Sequence, residues 1–137
     1  MIEKLYLLIN ILTGCIILIL GFKFFLARHF FKYHVQICKM QWDELNKEKK
    51  TLILSLMHAV GVCLFPLAFV FLGCTLKLYY KFDINIQIIL TLMGVILFSG
   101  LFYVTFNIYK KTKANTPWIL VLALLICNLI SLISQFI

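Results

Sequence analysis

Four long apolar segments, separated by short polar stretches, constrain the fold of this chain more than any other feature. They lie at about residues 5–26, 51–76, 84–109 and 117–137. A helix needs about 20 mostly apolar residues to cross the hydrocarbon core of a bilayer, and each segment approaches or exceeds that length. Because lipid cannot satisfy exposed backbone amides, such segments must be helical. The sequence predicts an all-α fold, a four-helix transmembrane bundle, with residues 1–137 as a single transmembrane domain.

The composition supports insertion into a membrane. Hydrophobic residues make up 64% of the chain and charged residues 13%, about half the charged share of an ordinary soluble domain. The first apolar run is longer than that of a normal signal peptide and lacks a small-residue cleavage site, so we interpret it as a retained helix. The net charge of +8 is typical of membrane-flanking segments, and no nucleic-acid module is indicated.

Local signals set the expected helix boundaries. Asp83 is placed to cap the third span, and Thr116 followed by Pro117 is a helix start signal for the fourth. Asp43 is a possible N-cap within residues 27–50, where we expect helical structure, such as an extension of the first span. Pro66 predicts a kink in the second span. Four glycines are candidate helix contact points: Gly61, Gly73, Gly94 and Gly100.

The distribution of basic residues predicts the orientation. Ten of the 13 Lys and Arg residues lie in or beside the first and third connections, and three lie on the opposite side. The positive-inside rule then places the connection 27–50 in the cytoplasm and both termini outside it. We expect a bacterial inner membrane protein, with the bilayer as a partner and Arg28, Lys32 and Lys39 contacting lipid headgroups.

The polar residues suggest a ligand pocket near the cytoplasmic side. No span carries a charged side chain at its centre, which disfavours an ion-coupled transporter. His58 lies inside the second span and is therefore a functional candidate. The alternative is a structural hydrogen bond to Asn107, Thr105 or Ser55. The predicted pocket residues are Lys23, His58, Thr105, Asn107 and Trp118.

Other polar groups leave alternatives open. His29, His34 and His58 are the metal candidates, but they lack metal-ligand spacing, so we predict no metal and no cofactor. Asn10 and Asn128 either pair across helices or line a polar cavity. The five cysteines lack CxxC spacing, and Cys63 and Cys127 are expected to fill the core.

Two resemblances bear on the family. Four short spans, external termini and a basic first loop resemble the MAPEG family of membrane glutathione transferases and eicosanoid enzymes. The second helix of that family carries an Arg…Asn…Glu motif followed by proline, whereas LSLMHAVGVCLFPLAFV has only Pro66. No glutathione-binding residue is therefore carried over.

A second pattern combines FFKYH, Trp42-x-x-Leu45, a helix with Met57, Val60 and Gly61, and Thr116–Trp118. It resembles uncharacterised small bacterial four-helix membrane proteins, which implies a location but no activity. We expect an oligomer that binds or moves a small or lipophilic ligand. The alternatives are a non-catalytic structural or accessory subunit of a larger membrane complex, and a MAPEG-like membrane enzyme.

Overall fold

The computed structural model describes residues 2–135, which form helices joined by turns and loops, with no strand among them. The elements are α1 (Ile2–Phe25), α2 (Lys32–Cys38), a 3-10 turn (Trp42–Glu44), α3 (Lys47–Tyr80), α4 (Ile84–Thr112) and α5 (Trp118–Ile133). The predicted all-α fold is confirmed.

Within residues 2–135, three helices are long and apolar enough to cross a membrane: α1 from Leu5 onward, α3 and α4. Helix α5 has 16 residues. At about 1.5 Å per residue it is about 24 Å long, shorter than a hydrocarbon core of about 30 Å. The end of the predicted fourth span, residues 136 and 137, lies outside the described residues. A fourth crossing therefore stays a prediction.

The helices form two closely packed pairs, α1 with α3 and α4 with α5. Gly61 permits the first pairing, because a Cβ there would lie 2.6 Å from the Phe25 nitrogen and 2.8 Å from the Gly21 oxygen. Gly94 permits the second, since a Cβ there would collide with Asn128 Oδ1. These two predicted contact points are confirmed. Gly73 and Gly100 have nothing within 4 Å of an added Cβ, so they contact no other described helix.

The capping predictions were partly wrong. Asp83 caps α4 as predicted, accepting a hydrogen bond from the Asn85 nitrogen at 2.9 Å. Asp43 lies in the 3-10 turn, and the N-cap of α3 is Asn46, whose Oδ1 accepts from the Lys49 nitrogen at 3.0 Å. Thr116 makes no cap, because its hydroxyl donates to the Thr105 carbonyl at 3.0 Å.

The helical structure expected within residues 27–50 is present, but it is not an extension of α1. Helix α1 ends at Phe25, and α2 forms a separate short helix near the same end of the bundle. Residues 47–50 belong to α3 rather than to the connection. Helix α3 continues through Pro66, which has no N–H to donate to the preceding turn. The kink stays a prediction.

Aromatic and aliphatic side chains from the four long helices, α1, α3, α4 and α5, fill the core. Phe71 and Phe98 are completely buried and pack with Ile17 of α1 and Leu124 of α5. The prediction that cysteines fill the core is wrong for Cys63, which is exposed, whereas Cys127 is half-buried.

Candidate functional site

An apolar cavity of about 330 Å³ lies at the end of the bundle where α2 is located. All four long helices and α2 contribute to its wall, which places it at the junction of the two helix pairs. Its lining is almost entirely apolar, with a few polar groups at the α2 side: Leu20, Lys23, Phe24, Phe31, Tyr33, His34, Val60, Leu101, Val104, Thr105, Ile108, Thr116, Pro117 and Val121.

Helix α2 and the residues before it cover this cavity through aromatic and hydrogen-bond contacts. The Phe31 ring packs edge-on against Phe24 of α1, with ring centroids 5.2 Å apart. Gln36 Oε1 accepts a hydrogen bond from the Asn115 nitrogen at 2.8 Å, which joins α2 to the α4–α5 connection. The cover is therefore attached to both helix pairs.

His34 supplies a neutral polar group to the cavity wall. Its ring lies against Tyr33, with ring centroids 4.2 Å apart, and stacks on Phe31 at 5.5 Å. Burial lowers the pKa of His34, because a desolvated imidazolium is disfavoured. Its Nδ1 atom is buried and has no hydrogen-bond partner within residues 2–135.

A second, more polar space adjoins the cavity. It is an open cleft of about 560 Å³, lined by Lys23, His29, Phe30, Phe31, Lys32, Tyr33, Gln36 and Asn115. Lys23, Phe31 and Tyr33 line both the cleft and the cavity. The Lys23 Nζ lies 5.2 Å from the centre of the Phe31 ring, a cation–π contact. The two spaces therefore meet at these three side chains.

The structure brings two of the five predicted pocket residues together, because Lys23 and Thr105 both line the cavity. The other three do not line it. His58 Nε2 lies 2.9 Å from the Ala27 carbonyl oxygen, so the histidine joins α3 to the chain just after α1. This partner is none of the three that we considered from the sequence.

Asn107 and Trp118 lie outside the cavity, on α4 and α5. Asn107 is half-buried. The Trp118 ring packs against Phe106 and Tyr109, with centroid distances of 5.6 and 5.4 Å. Trp118 therefore takes part in an aromatic cluster between α4 and α5.

The predicted headgroup contacts lie at the cavity end of the bundle and are exposed. Arg28, Lys32 and Lys39 all project from the segment around α2, and Lys32 also lines the cleft. His29 is exposed in that cleft. Residues 2–135 contain no group of three or more metal-binding side chains, so the three histidines do not converge on a metal site there.

A connected group of polar side chains, here called the polar seam, lies between α1, α4 and α5 and was not predicted from the sequence. It comprises Asn10, Thr13, Gln87, Thr91, Asn128, Ser131 and Gln135. Asn10 Nδ2 donates to Gln87 Oε1 at 2.7 Å, and Gln135 Nε2 donates to Thr91 Oγ1 at 3.0 Å. Asn128 Nδ2 donates to Thr13 Oγ1 at 3.3 Å. The seam therefore holds three helices together by hydrogen bonds inside the bundle.

Several seam atoms have no hydrogen-bond partner in the described part of the chain, among them Asn10 Oδ1, Asn128 Oδ1 and Ser131 Oγ. The spacing of the seam residues, three or four apart on each helix, was the sequence signal that could have revealed it. Asn10 and Asn128, left open between pairing and cavity lining, both pair across helices.

Comparisons with known proteins add no relative. No family model matches the chain, and no curated protein or solved structure matches it.

Proposed function

We propose that this protein is a four-helix transmembrane protein that binds a lipophilic small molecule in the cavity beneath α2. The observation that carries the proposal is the cavity itself, which has an apolar wall from every long helix and a cover attached at Asn115. Small-molecule sites are concave, mostly apolar and supplied with a few placed polar groups. His34, Thr105 and Lys23 supply those groups here.

The size of the cavity suits one alkyl chain. Its volume of about 330 Å³ is at the lower end of the usual range for ligand sites, about 300–1,000 Å³. At about 30 Å³ for each water-sized group, it holds a chain of roughly ten methylenes. A molecule with one chain fits better than a diacyl lipid.

The cavity and α2 belong to the cytoplasmic end in this proposal, in a bacterial inner membrane with both termini outside the cytoplasm. The basic residues around α2 support that orientation.

Single cysteines test this orientation: Cys38 on α2 is exposed, and Lys81 is exposed at the α3–α4 turn. Two proteins are compared in intact cells: one keeps Cys38 as its single cysteine, and the other has only the cysteine introduced by Lys81→Cys. An impermeant maleimide should label the Lys81→Cys protein and leave the Cys38 protein unlabelled. Labelling of both sites, or of Cys38 alone, would contradict the orientation.

Photolabelling tests the binding site. A neutral alkyl alcohol carrying a diazirine should, in lipid nanodiscs, attach to cavity residues of α4 such as Leu101 and Thr105. Val60→Trp places an indole in the cavity wall and should reduce this labelling about tenfold, about 1.4 kcal/mol of affinity. Val70→Trp is the matched control, because Val70 is on the same helix, is similarly exposed and does not line the cavity. Equal labelling in both variants would refute the site.

A second candidate is a structural or accessory subunit, and the open glycines favour it. Gly73 of α3 and Gly100 of α4 leave space at the surface where another helix can approach. In this case the chain forms a homo-oligomer or joins a larger membrane complex. Gly73→Leu and Gly100→Leu should then dissociate the assembly in a crosslinking assay while leaving cavity labelling unchanged. An assembly that persists in both variants would exclude these faces.

A further inference from the structure

We infer that the ligand is an anionic amphiphile, with its alkyl chain in the cavity and its anionic headgroup in the adjoining cleft. This inference rests on the proposed function and adds the chemical class of the ligand. Its basis is the juxtaposition of a nearly apolar space and a basic one, joined at Lys23, Phe31 and Tyr33.

The charge of the cleft favours an anion. Its described lining includes the ammonium groups of Lys23 and Lys32 together with the imidazole of His29, and no carboxylate is among those lining residues. The positive charges of these two lysines are therefore not neutralised by any acidic side chain in the cleft lining. A headgroup of opposite sign would gain charge-assisted hydrogen bonds, which are stronger than neutral ones.

Lys23 lies where the ligand changes from apolar to charged. It is in the last turn of α1, and it lines the cavity as well as the cleft. Its apolar stem can lie along the alkyl chain while its ammonium group stays in the polar space, as snorkelling lysines do. Phe31 carries the cation–π contact with Nζ at 5.2 Å, which holds the ammonium group beside the mouth of the cavity.

The headgroup chemistry is that of a compact anion, a carboxylate or a phosphate monoester. Lysine ammonium groups act as point charges and bind either anion, whereas a planar arginine fork would select for bidentate geometry. A single-chain fatty acid and a single-chain phospholipid fragment share this chemistry. The cavity size, sufficient for one chain of roughly ten methylenes, agrees with both.

The experiment compares three diazirine probes with the same alkyl chain and different ends: an alcohol, a carboxylate and a phosphate monoester. Each is photolysed with the full-length protein in nanodiscs of a zwitterionic lipid, and adducts on α4 cavity residues are quantified. The anionic probes should label the cavity about tenfold more than the alcohol does, because headgroup contacts add to the same apolar burial. Preference for one anion identifies the carboxylate or the phosphate source.

Variants then test whether the lysines of the cleft cause the preference for anionic probes. Lys23→Gln with Lys32→Gln should lower the ratio of anionic-probe labelling to alcohol labelling to about one, and circular dichroism checks that this variant is folded. Lys110→Gln with Lys111→Gln is the control, since these lysines end α4 outside the cleft and their replacement removes the same charge. It should retain the preference.

Each failure is distinguishable. If no probe labels the cavity, the proposed function itself is wrong. If the alcohol and the anions label it equally in the natural protein, lipophilic binding stands and the anionic class is wrong. If the preference persists in the Lys23 and Lys32 double variant, or disappears in the control as well, the cleft does not hold the headgroup.

Discussion

At Gly61 the backbones of α1 and α3 approach so closely that a single methyl group has no room. The atoms that an added Cβ would meet belong to the backbone of α1, so no side-chain rotation can relieve the collision. Gly73, on the same helix, faces open space. The two glycines look alike in the sequence, and only the packed structure separates their roles.

Substituting these glycines should therefore give opposite results. Gly61→Ala should lower the free energy of unfolding by about 1–3 kcal/mol, the usual cost of overpacking. Gly73→Ala should leave it unchanged or raise it by up to about 1 kcal/mol, since alanine is the better helix former. Denaturant unfolding in mixed micelles, followed by circular dichroism, measures both. Equal stability of the two variants would refute the close α1–α3 contact.

His34 should make the cover of the cavity sensitive to pH. Its pKa is lowered by burial, so the closed form binds fewer protons than an opened form with an ordinary pKa of about 6.5. Stability of the closed form rises with pH and is lost as the pH falls below about 6.5.

Hydrogen exchange of the α2 amides measures this effect. After correction for intrinsic rates, exchange should be faster at a pH of about 5.5 than at about 7.5. His34→Phe should remove the difference, whereas His29→Gln should retain it because His29 is exposed. Exchange that is independent of pH in the natural protein would contradict the assignment.

At the scale of the elements, the polar seam determines how α5 joins the bundle. This helix is the shortest of the four long ones. Its buried Asn128 donates to Thr13 of α1, and Gln135, which follows the helix, donates to Thr91 of α4. Hydrogen bonds between helices in a membrane contribute modestly, because polar groups also find partners in the unfolded state. The seam therefore specifies the position of α5 more than it stabilises the fold.

A double-mutant cycle on Asn10 and Gln87 tests the seam. Asn10→Ala and Gln87→Ala should each destabilise the bundle, with a coupling energy of about 0.6 kcal/mol, up to about 1.7. Asn10→Ala with Thr105→Ala is the control, because Thr105 bonds to backbone near the other end of the bundle. That pair should be additive. Additivity in the Asn10–Gln87 pair would show that their hydrogen bond contributes no coupling.

The sequence predicted the elements whose signals are local. The lengths of the apolar segments predicted helices α1, α3 and α4. Asp83 predicted the start of α4, because an N-cap acts within one turn. The position of α2 was not predictable in this way, since seven residues form a helix there only with support from contacts such as Gln36 with Asn115. A structural hydrogen bond of His58 was one of the alternatives, but its partner Ala27 was not predictable, because it depends on where α1 ends.

At the scale of the whole molecule, the cavity exists because the two helix pairs contact each other less extensively than their members do. The gap at the α2 end is covered rather than filled by side chains. Its lining could not be read from periodicity, because residues such as Val60 and Pro117 meet only when all five helices are placed. Lys23 and Thr105 were predicted because polar groups near a span end are few.

Mass spectrometry of the intact protein, released gently from its own membrane, tests the central claim most directly. We expect one retained lipophilic molecule for each natural chain and for each Val70→Trp chain, and about a tenth of that for Val60→Trp, whose indole occupies part of the cavity. Natural protein that is released without any bound molecule, or Val60→Trp protein that retains it equally, would contradict binding in the cavity beneath α2.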